Sequence, residues 1–461
     1  MKAHPDDTIA AVSTPQGRGA IGIVRLSGPR ALEIAGLLAP GPPRDPPVRW
    51  KSHTLRRAVI RSGGREIDDA LVAVMRGPRS YTGEDMAEFH CHGNPLVLAR
   101  VVEACVREGA RPALPGEFTR RAFLNGKMDL SQAEAVARII EASSDRVLDL
   151  ARRQAEGELG RRVEKLREAL IGLLAEVEAR LEFPEEDLGE GEPVAGRIAL
   201  AAGEWRALAA AQAEGARADC GLRVAIVGKP NAGKSSIFNR LLGADRALVT
   251  ADRGTTRDAI QEESALGGIK VRLTDTAGIC DDHADAAGKA SVERSVAALK
   301  EAELLIFVAD GSKPWSIEDH AIARMTRGKI GLLVLNKKDL GLALDQAGYP
   351  AELAGWKRIA ASAKEGQGMD EIKRHIIDEY QTLTDKVDGD SAIICSVQQA
   401  DAIRRCGEAI NEAVVLSSTE GLEELIAHEL RIAWEALGEI TGESAGSELL
   451  DKIFSRFCIG K

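Results

Sequence analysis

One octapeptide constrains this chain more than any other feature. Gly228-Lys229-Pro230-Asn231-Ala232-Gly233-Lys234-Ser235 fits the pattern GxxxxGK[ST], follows the apolar run Arg223–Val227 and opens a stretch of helical spacing. Glycines let backbone N–H groups wrap phosphates, and a helix that begins there points its positive end at the anion. Lys234 is expected on the β- and γ-phosphates and the Ser235 hydroxyl on Mg²⁺, with Asn231, Ala232, Gly233 and Ser236 completing the cradle. Such a loop commits its surroundings to strand–helix alternation around a mostly parallel sheet.

The following sequence agrees. Candidate strands Val271–Thr274, Leu304–Ala309 and Gly331–Asn336 alternate with helical stretches. Asp275-Thr276-Ala277-Gly278 ends the first of these, where an Asp can hold the Mg²⁺ shell and a Gly N–H can sense the γ-phosphate. Between lies Thr250-Ala251-Asp252-Arg253-Gly254-Thr255-Thr256-Arg257, in which Thr256 completes the Mg²⁺ shell only when γ-phosphate is bound. Asn336-Lys337-Lys338-Asp339 follows another strand. The Asp339 carboxylate can accept from N1–H and the exocyclic amine of guanine, and adenine offers neither on that edge. Ser362-Ala363-Lys364 is placed to close over the base. Ile279 stands where many small GTPases carry a water-orienting Gln, so catalysis needs another source. A monovalent cation is one, with Asn231 and the carbonyls around Thr250–Thr255 as hard oxygen ligands. Arg257 is the other, although an Arg in a switch loop more often ties the loop down.

A chain of 461 residues holds about three domains. The net charge of -10 argues against bulk electrostatic attachment to nucleic acid, and 3% aromatic residues against a base-stacking single-strand binder. Seven scattered cysteines (Cys91, Cys105, Cys220, Cys280, Cys395, Cys406, Cys458) form no CxxC and suit a reducing cytoplasm. Neither a signal peptide nor a membrane-length apolar run is read, and the ending Cys458-Ile459-Gly460-Lys461 fits a prenylation box poorly.

The phosphate-loop region is flanked by two other regimes. Before it, short β-like runs (Thr8–Val12, Ile21–Leu26, Ala70–Met75, Met86–His90) and a helix at Leu96–Arg107 give way to an Ala-, Glu-, Arg- and Leu-rich stretch, with helical periodicity over Leu150–Leu181. After it, Ala400–Val415 and Leu422–Leu437 read as helices. His90-Cys91-His92 has the look of a metal cluster, but alternate residues of a strand share a face and no second cluster lies nearby in sequence. Arg111, Arg120, Arg121 and Lys127 fit a polyanion contact or a solvated face equally well.

Read together, Asp7–Gly28 (DTIAAVSTPQGRGAIGIVRLSG), Ser80–Gly93 (SYTGEDMAEFHCHG), Pro115–Leu130 (PGEFTRRAFLNGKMDL), the GTPase motifs and Glu439–Lys461 (EITGESAGSELLDKIFSRFCIGK) resemble the bacterial tRNA modification GTPases, the MnmE or TrmE family. The resemblance spans nearly the whole chain. It implies a multidomain α/β and all-α protein. Residues 1–124 would form an α+β tetrahydrofolate-binding-like and dimerisation domain. Residues 125–217 and 381–461 would form a helical domain, interrupted by a P-loop GTPase domain at 218–380.

The resemblance further implies a 5-formyl- or methylene-tetrahydrofolate held by Arg25, Glu88, Lys127 and Lys461. Potassium would sit on Asn231, Thr250, Asp252 and Thr255, and Mg²⁺ on Ser235 and Thr256. It implies a homodimer, tRNA as substrate, and a flavin-dependent partner that carries the flavin in a heterotetramer. The catalytic set carried over is Lys234, Thr256, Arg257 and Cys458, the last in the family's Cys-x-Gly-Lys ending with its role open and burial at a domain junction as the plain expectation.

One departure stands out. The family's switch-two Glu, which positions the attacking water, falls here on Ala287 or Gly288; Asp285 is the nearest carboxylate and joins the catalytic candidates, so either it substitutes, or turnover is slow, or the alignment shifts in this stretch. A ribosome-assembly or regulatory GTPase is the competing reading, but neither a second GTPase domain nor a KH-like GXXG clamp is found. A stand-alone folate-dependent one-carbon transferase, with GTP as allosteric ligand, is a third.

Overall fold

The computed structural model describes residues 7–40, 46–142, 144–182, 193–243, 261–275, 298–343, 349–384, 392–393, 395–419, 422–444 and 446–460. The chain divides into two compact units, one of residues 1–137, 155–202 and 405–461, the other of 138–154 and 203–404.

The first unit holds strands β1 (Ile9–Val12), β2 (Ile21–Ser27), β3 (Thr54–Ser62), β4 (Arg65–Met75), β5 (Met86–His92) and β6 (Arg111–Pro112) in the order β3-β4-β5-β2-β1-β6. All neighbours pair antiparallel except β1 and β6, which run parallel. Period-two alternation sends Val24, Leu26, Val72, Val74, Phe89 and Cys91 to one face. Helices Ala31–Leu38 and Pro95–Arg107 cover that face with Ile34, Leu38, Leu98, Val101 and Cys105. The second helix starts where Pro95 takes the first position and the Asn94 side chain accepts from the Leu96 N–H at 2.9 Å. On the opposite face Ile9, Ala11 and Met86 meet Phe118 of the Glu117–Leu124 helix, and Arg25, Glu88 and His90 share the same side by register.

The helical part of this unit is built across a long gap in sequence. Helix Glu158–Glu182 buries Leu159, Val163, Leu166, Leu170, Leu173 and Val177, and packs on helix Glu423–Thr441, which buries Ile426, Leu430, Ala433 and Leu437. Buried Arg167 faces the Trp434 ring at 4.8 Å and pairs with Glu443 at 2.6 Å. Helix Ser447–Phe454 reaches the Glu117–Leu124 helix, with Phe454 against Phe123 at 6.4 Å between centroids.

The second unit carries β7 (Leu222–Val227), β8 (Gln261–Leu266), β9 (Ile269–Asp275), β10 (Leu304–Asp310), β11 (Gly331–Asn336) and β12 (Lys357–Ala360), ordered β12-β11-β10-β7-β9-β8. Only edge strand β8 runs antiparallel. Val224, Ile226, Ile306, Val308 and Val334 pack with Ile237 and Leu241 of the Lys234–Gly243 helix and Ile372 and Ile376 of helix Met369–Thr384. Ala225, Val227, Leu305, Phe307 and Leu333 face Ile322 and Ala323 of helix Ile317–Met325. Cover on both faces is why β10 is apolar from Leu304 to Ala309 and buried along its length. Also in this unit, Val147 and Leu150 of helix Asp145–Ala155 cluster with Ala218 and Ala392, and Arg146 pairs with Glu214 at 3.0 Å.

Several elements differ from the sequence reading. The periodicity over Leu150–Leu181 resolves into two helices, because Glu156-Gly157 breaks the run and Gly157 takes a left-handed φ of 83°. Strands β3, β8 and β12 and helix Ala31–Leu38 were not anticipated.

Candidate functional site

The phosphate loop lies where sequence placed it, between β7 and the helix that Lys234 opens. Gly233 has φ 99°, and a Cβ there would collide with the Asn336 amide nitrogen, so only glycine lets these two loops approach. Lys234 is buried and donates from Nζ to the carbonyls of Gly228 (2.8 Å) and Lys229 (3.1 Å). Those bonds curl the loop around its own lysine. Asn231 adopts a left-handed φ of 62°. Ser235 stands in the first turn of the helix, where a hydroxyl is a hard oxygen donor suited to Mg²⁺.

The candidate base-recognition segments converge beyond the strand ends, from the end of β11 and from the turn after β12. The Asn336 amide donates to the Ala232 carbonyl at 2.8 Å and accepts from the Ala363 N–H at 3.0 Å. One side chain thereby joins the phosphate loop to the Ser362–Lys364 loop. Lys337 holds a left-handed φ of 65° and pairs with Asp310 at the end of β10 at 2.7 Å. Lys338 donates its N–H to the Ala361 carbonyl at 3.0 Å. Asp339 accepts from the buried Ser362 hydroxyl at 2.6 Å, and this bond holds its carboxyl below the usual range. An ionised acceptor thus stands ready for two N–H groups.

Two residues to which the sequence assigned no role also brace these loops. Lys229 reaches buried Asp319 at 2.8 Å, tying the phosphate loop to the capping box of helix Ile317–Met325. Arg240 donates to the carbonyls of Ala363 and Lys364. No sequence signal marks either, since the partners lie 90 and 123 residues away. Of the remaining nucleotide and cation residues, Thr250 to Arg257, Thr276 to Gly278 and Asp285 lie outside the described residues, as does Lys461; Asp275 closes β9.

A second constellation sits on the first unit's sheet. Arg25 and Glu88 are register partners on β2 and β5, with Nε to Oε1 at 2.8 Å. The guanidinium lies 5.7 Å from the ring centroids of Tyr81 and of Phe118. Glu88 also meets His90 Nε2 at 3.2 Å. Lys127 donates to the Pro78 carbonyl at 3.0 Å, and its side chain flanks Gly83 in the loop that also carries Tyr81. Ile459 bridges Pro115 antiparallel, which seats residues just before Lys461 against this unit.

One expectation needs correcting, that of Cys458, and two open readings gain partners. Arg111, Arg120 and Arg121 are each engaged by carboxylates of the chain itself. Arg111 pairs with Glu117 (2.6 Å) and Asp7 (2.9 Å), Arg121 with Glu84 (3.0 Å) and Glu117 (3.2 Å), and Arg120 with Asp451 (2.9 Å). Burial would raise the Glu117 carboxyl, but the bond from Arg111 and the Leu114 N–H prevail and lower it. Cys458 is exposed rather than buried. The His90–His92 strand is not a metal cluster: His92 turns to Asp68 at 2.7 Å, and Cys91 faces the core, where burial pushes its thiol up to about 12. Among the described residues no group of three or more ligands converges, the cysteines are free, and no helix is long and apolar enough to cross a membrane.

Comparison with known proteins gives these features a family. The family described as "GTP-binding protein TrmE N-terminus" matches residues 8–127, and "MnmE helical domain" matches residues 130–458. The tRNA modification GTPase MnmE of Symbiobacterium thermophilum is 42% identical over 463 residues, covering 99% of this chain and 100% of that protein. The MnmE of Moorella thermoacetica is 43% identical over 466 residues, with 99% and 100% covered. Among solved structures, the G domain of the T. maritima FeoB iron transporter aligns with 35% of this chain and 99% of its own, at 23% identity and a TM-score of 0.28. On the two family matches and the full-length identity, the chain belongs to the tRNA modification GTPase MnmE family.

Proposed function

We propose that this GTP hydrolase is potassium-stimulated and works with a flavin-dependent partner protein. Together they add an aminomethyl or carboxymethylaminomethyl group to carbon 5 of the tRNA wobble uridine, drawing one carbon from a 5-formyl- or methylene-tetrahydrofolate. Hydrolysis drives dimerisation of the GTPase domains and a conformational change. The working form is a cytoplasmic homodimer that joins its partner as a heterotetramer, and the flavin stays on the partner. The domain plan is 1–124 for folate and dimerisation, 125–217 with 381–461 for the helical domain, and 218–380 for the inserted GTPase domain.

The observation that carries the reading is a hydrogen-bonded link between two loops in a chain of this family: Asn336 joins the Ala232 and Ala363 segments while the Ser362 hydroxyl orients Asp339. Asp339 selects guanine, Lys234 holds the phosphates, and Asn231 with Ser235 supplies oxygen donors for K⁺ and Mg²⁺. When bound, the cations offset charge that develops on the transferring phosphoryl group. Thr250, Asp252, Thr255 and Thr256 complete the cation set, and Asp285 takes over water positioning from the absent Glu. In the first unit, Glu88 meets the pterin edge, while Arg25, Lys127 and Lys461 meet the carboxylates of the folate tail.

The test is GTP hydrolysis in potassium against sodium chloride at matched ionic strength. Strong potassium stimulation, lost on Asp285→Asn, is expected. Equal slow rates in both salts would remove the cation from the mechanism. Stimulation untouched by Asp285→Asn would remove only the carboxylate.

A further inference from the structure

Arg240 sits in the last turn of the helix that Lys234 opens. Its Nε donates to the Ala363 carbonyl at 2.9 Å and its Nη2 to the Lys364 carbonyl at 2.7 Å. Both carbonyls belong to the loop that closes over the base. The Ala363 N–H on Asn336 and the Ser362 hydroxyl on Asp339 also moor that loop, from the end of β11 and the turn after it. Arg240 is the mooring that comes from the phosphate side. Six residues at about 1.5 Å rise place it about 9 Å along the helix from Lys234.

We infer that Arg240 is a positioning residue for nucleotide binding. The helix that grips the phosphates at its start holds the base loop at its end, so the base cannot leave without straining the element that anchors the phosphates. An arginine suits this task because its planar fork spans two successive carbonyls, whereas a lysine offers one point donor. A basic residue in a helix's last turn also complements the helix dipole. That lesser role needs a positive charge and no fork, so Arg240→Lys separates the two.

The inference rests on the guanine-nucleotide reading, and the experiment distinguishes them. Release of a fluorescent GDP analogue is followed by stopped flow from the full-length chain, from Arg240→Lys and from Arg240→Gln. The Arg240 side chain is exposed, so the loss is moderate: roughly tenfold faster release is expected for Arg240→Gln. Arg240→Lys should stay nearer to Gln than to the parent. The GTP concentration for half-maximal turnover should rise by a larger factor than saturated turnover falls, while the preference for guanine over xanthine stays with Asp339. Release from Arg240→Gln at the parent rate would overturn the clamp. So would full rescue by Arg240→Lys, because charge alone would then suffice. A parent chain that fails to retain the analogue overturns the nucleotide reading and the clamp with it.

Discussion

Replacing Asp310 by Asn tests how the base-recognition turn is held. Asp310 is 4% exposed and accepts from Lys337 Nζ at 2.7 Å and the Ser312 hydroxyl at 2.6 Å. Burial alone would raise its carboxyl, but these bonds outweigh burial and bring it from 3.8 to about 2. An acid depressed by nearly two pH units favours the folded state by ~2 kcal/mol at neutral pH. The sign follows from the direction. The contribution is complete above the unfolded value near 4, is roughly halved at about pH 3, and vanishes as pH drops through about 2. Asn keeps the shape and loses the charge. Local opening around Val334–Asn336, read as amide hydrogen exchange without nucleotide, should speed up by roughly 5- to 30-fold at pH 7. The gap to the parent should narrow between about pH 5 and pH 3. Equal protection at pH 7 would refute the argument, and so would a gap that ignores pH.

Asp339→Asn should weaken GTP on the order of 10²–10³-fold and admit xanthosine triphosphate, because the amide presents a donor where guanine also donates. Unaltered GTP affinity in a titration would contradict the assignment. Glu117→Gln leaves Arg111 and Arg121 without the shared carboxylate that both now contact, in a site where Glu117 is 3% and Arg121 7% exposed. A loss of about 3 kcal/mol in urea unfolding of the first unit is expected, and a change under about 0.5 kcal/mol would show that the network is dispensable.

The loops of the candidate nucleotide site were legible because phosphate and guanine recognition call for particular residues at fixed spacing, and those residues sit on strand ends where local sequence determines geometry. Strand β3 was not legible, although Gly63-Gly64 is a hairpin signal. Its exposed Arg56, Arg57 and Arg61 stand in an edge position and mask the alternation. Strand β8 reads Gln-Glu-Glu-Ser-Ala-Leu, a polar edge whose pairing to β9 depends on the Gly267-Gly268 turn. Arg240 and Lys229 were invisible for a different reason, since each acts on groups distant in sequence. The basic run around Arg111 stayed open between two readings because charge counts do not reveal that Glu117, Glu84 and Asp7 fold onto it.

The packing of helix Glu158–Glu182 on helix Glu423–Thr441 sets an order of assembly during synthesis. The first helix emerges with Leu166, Leu170 and Leu173 already aligned on one face, yet its cover is translated much later. Arg167 waits 276 residues for Glu443. At about 5–20 residues per second, that interval is on the order of tens of seconds. The whole six-stranded sheet of the second unit is translated inside it, from β7 to β12. During that time the nascent chain carries this apolar face without its later partner. The later helix of this pair therefore closes a core begun by the earlier one.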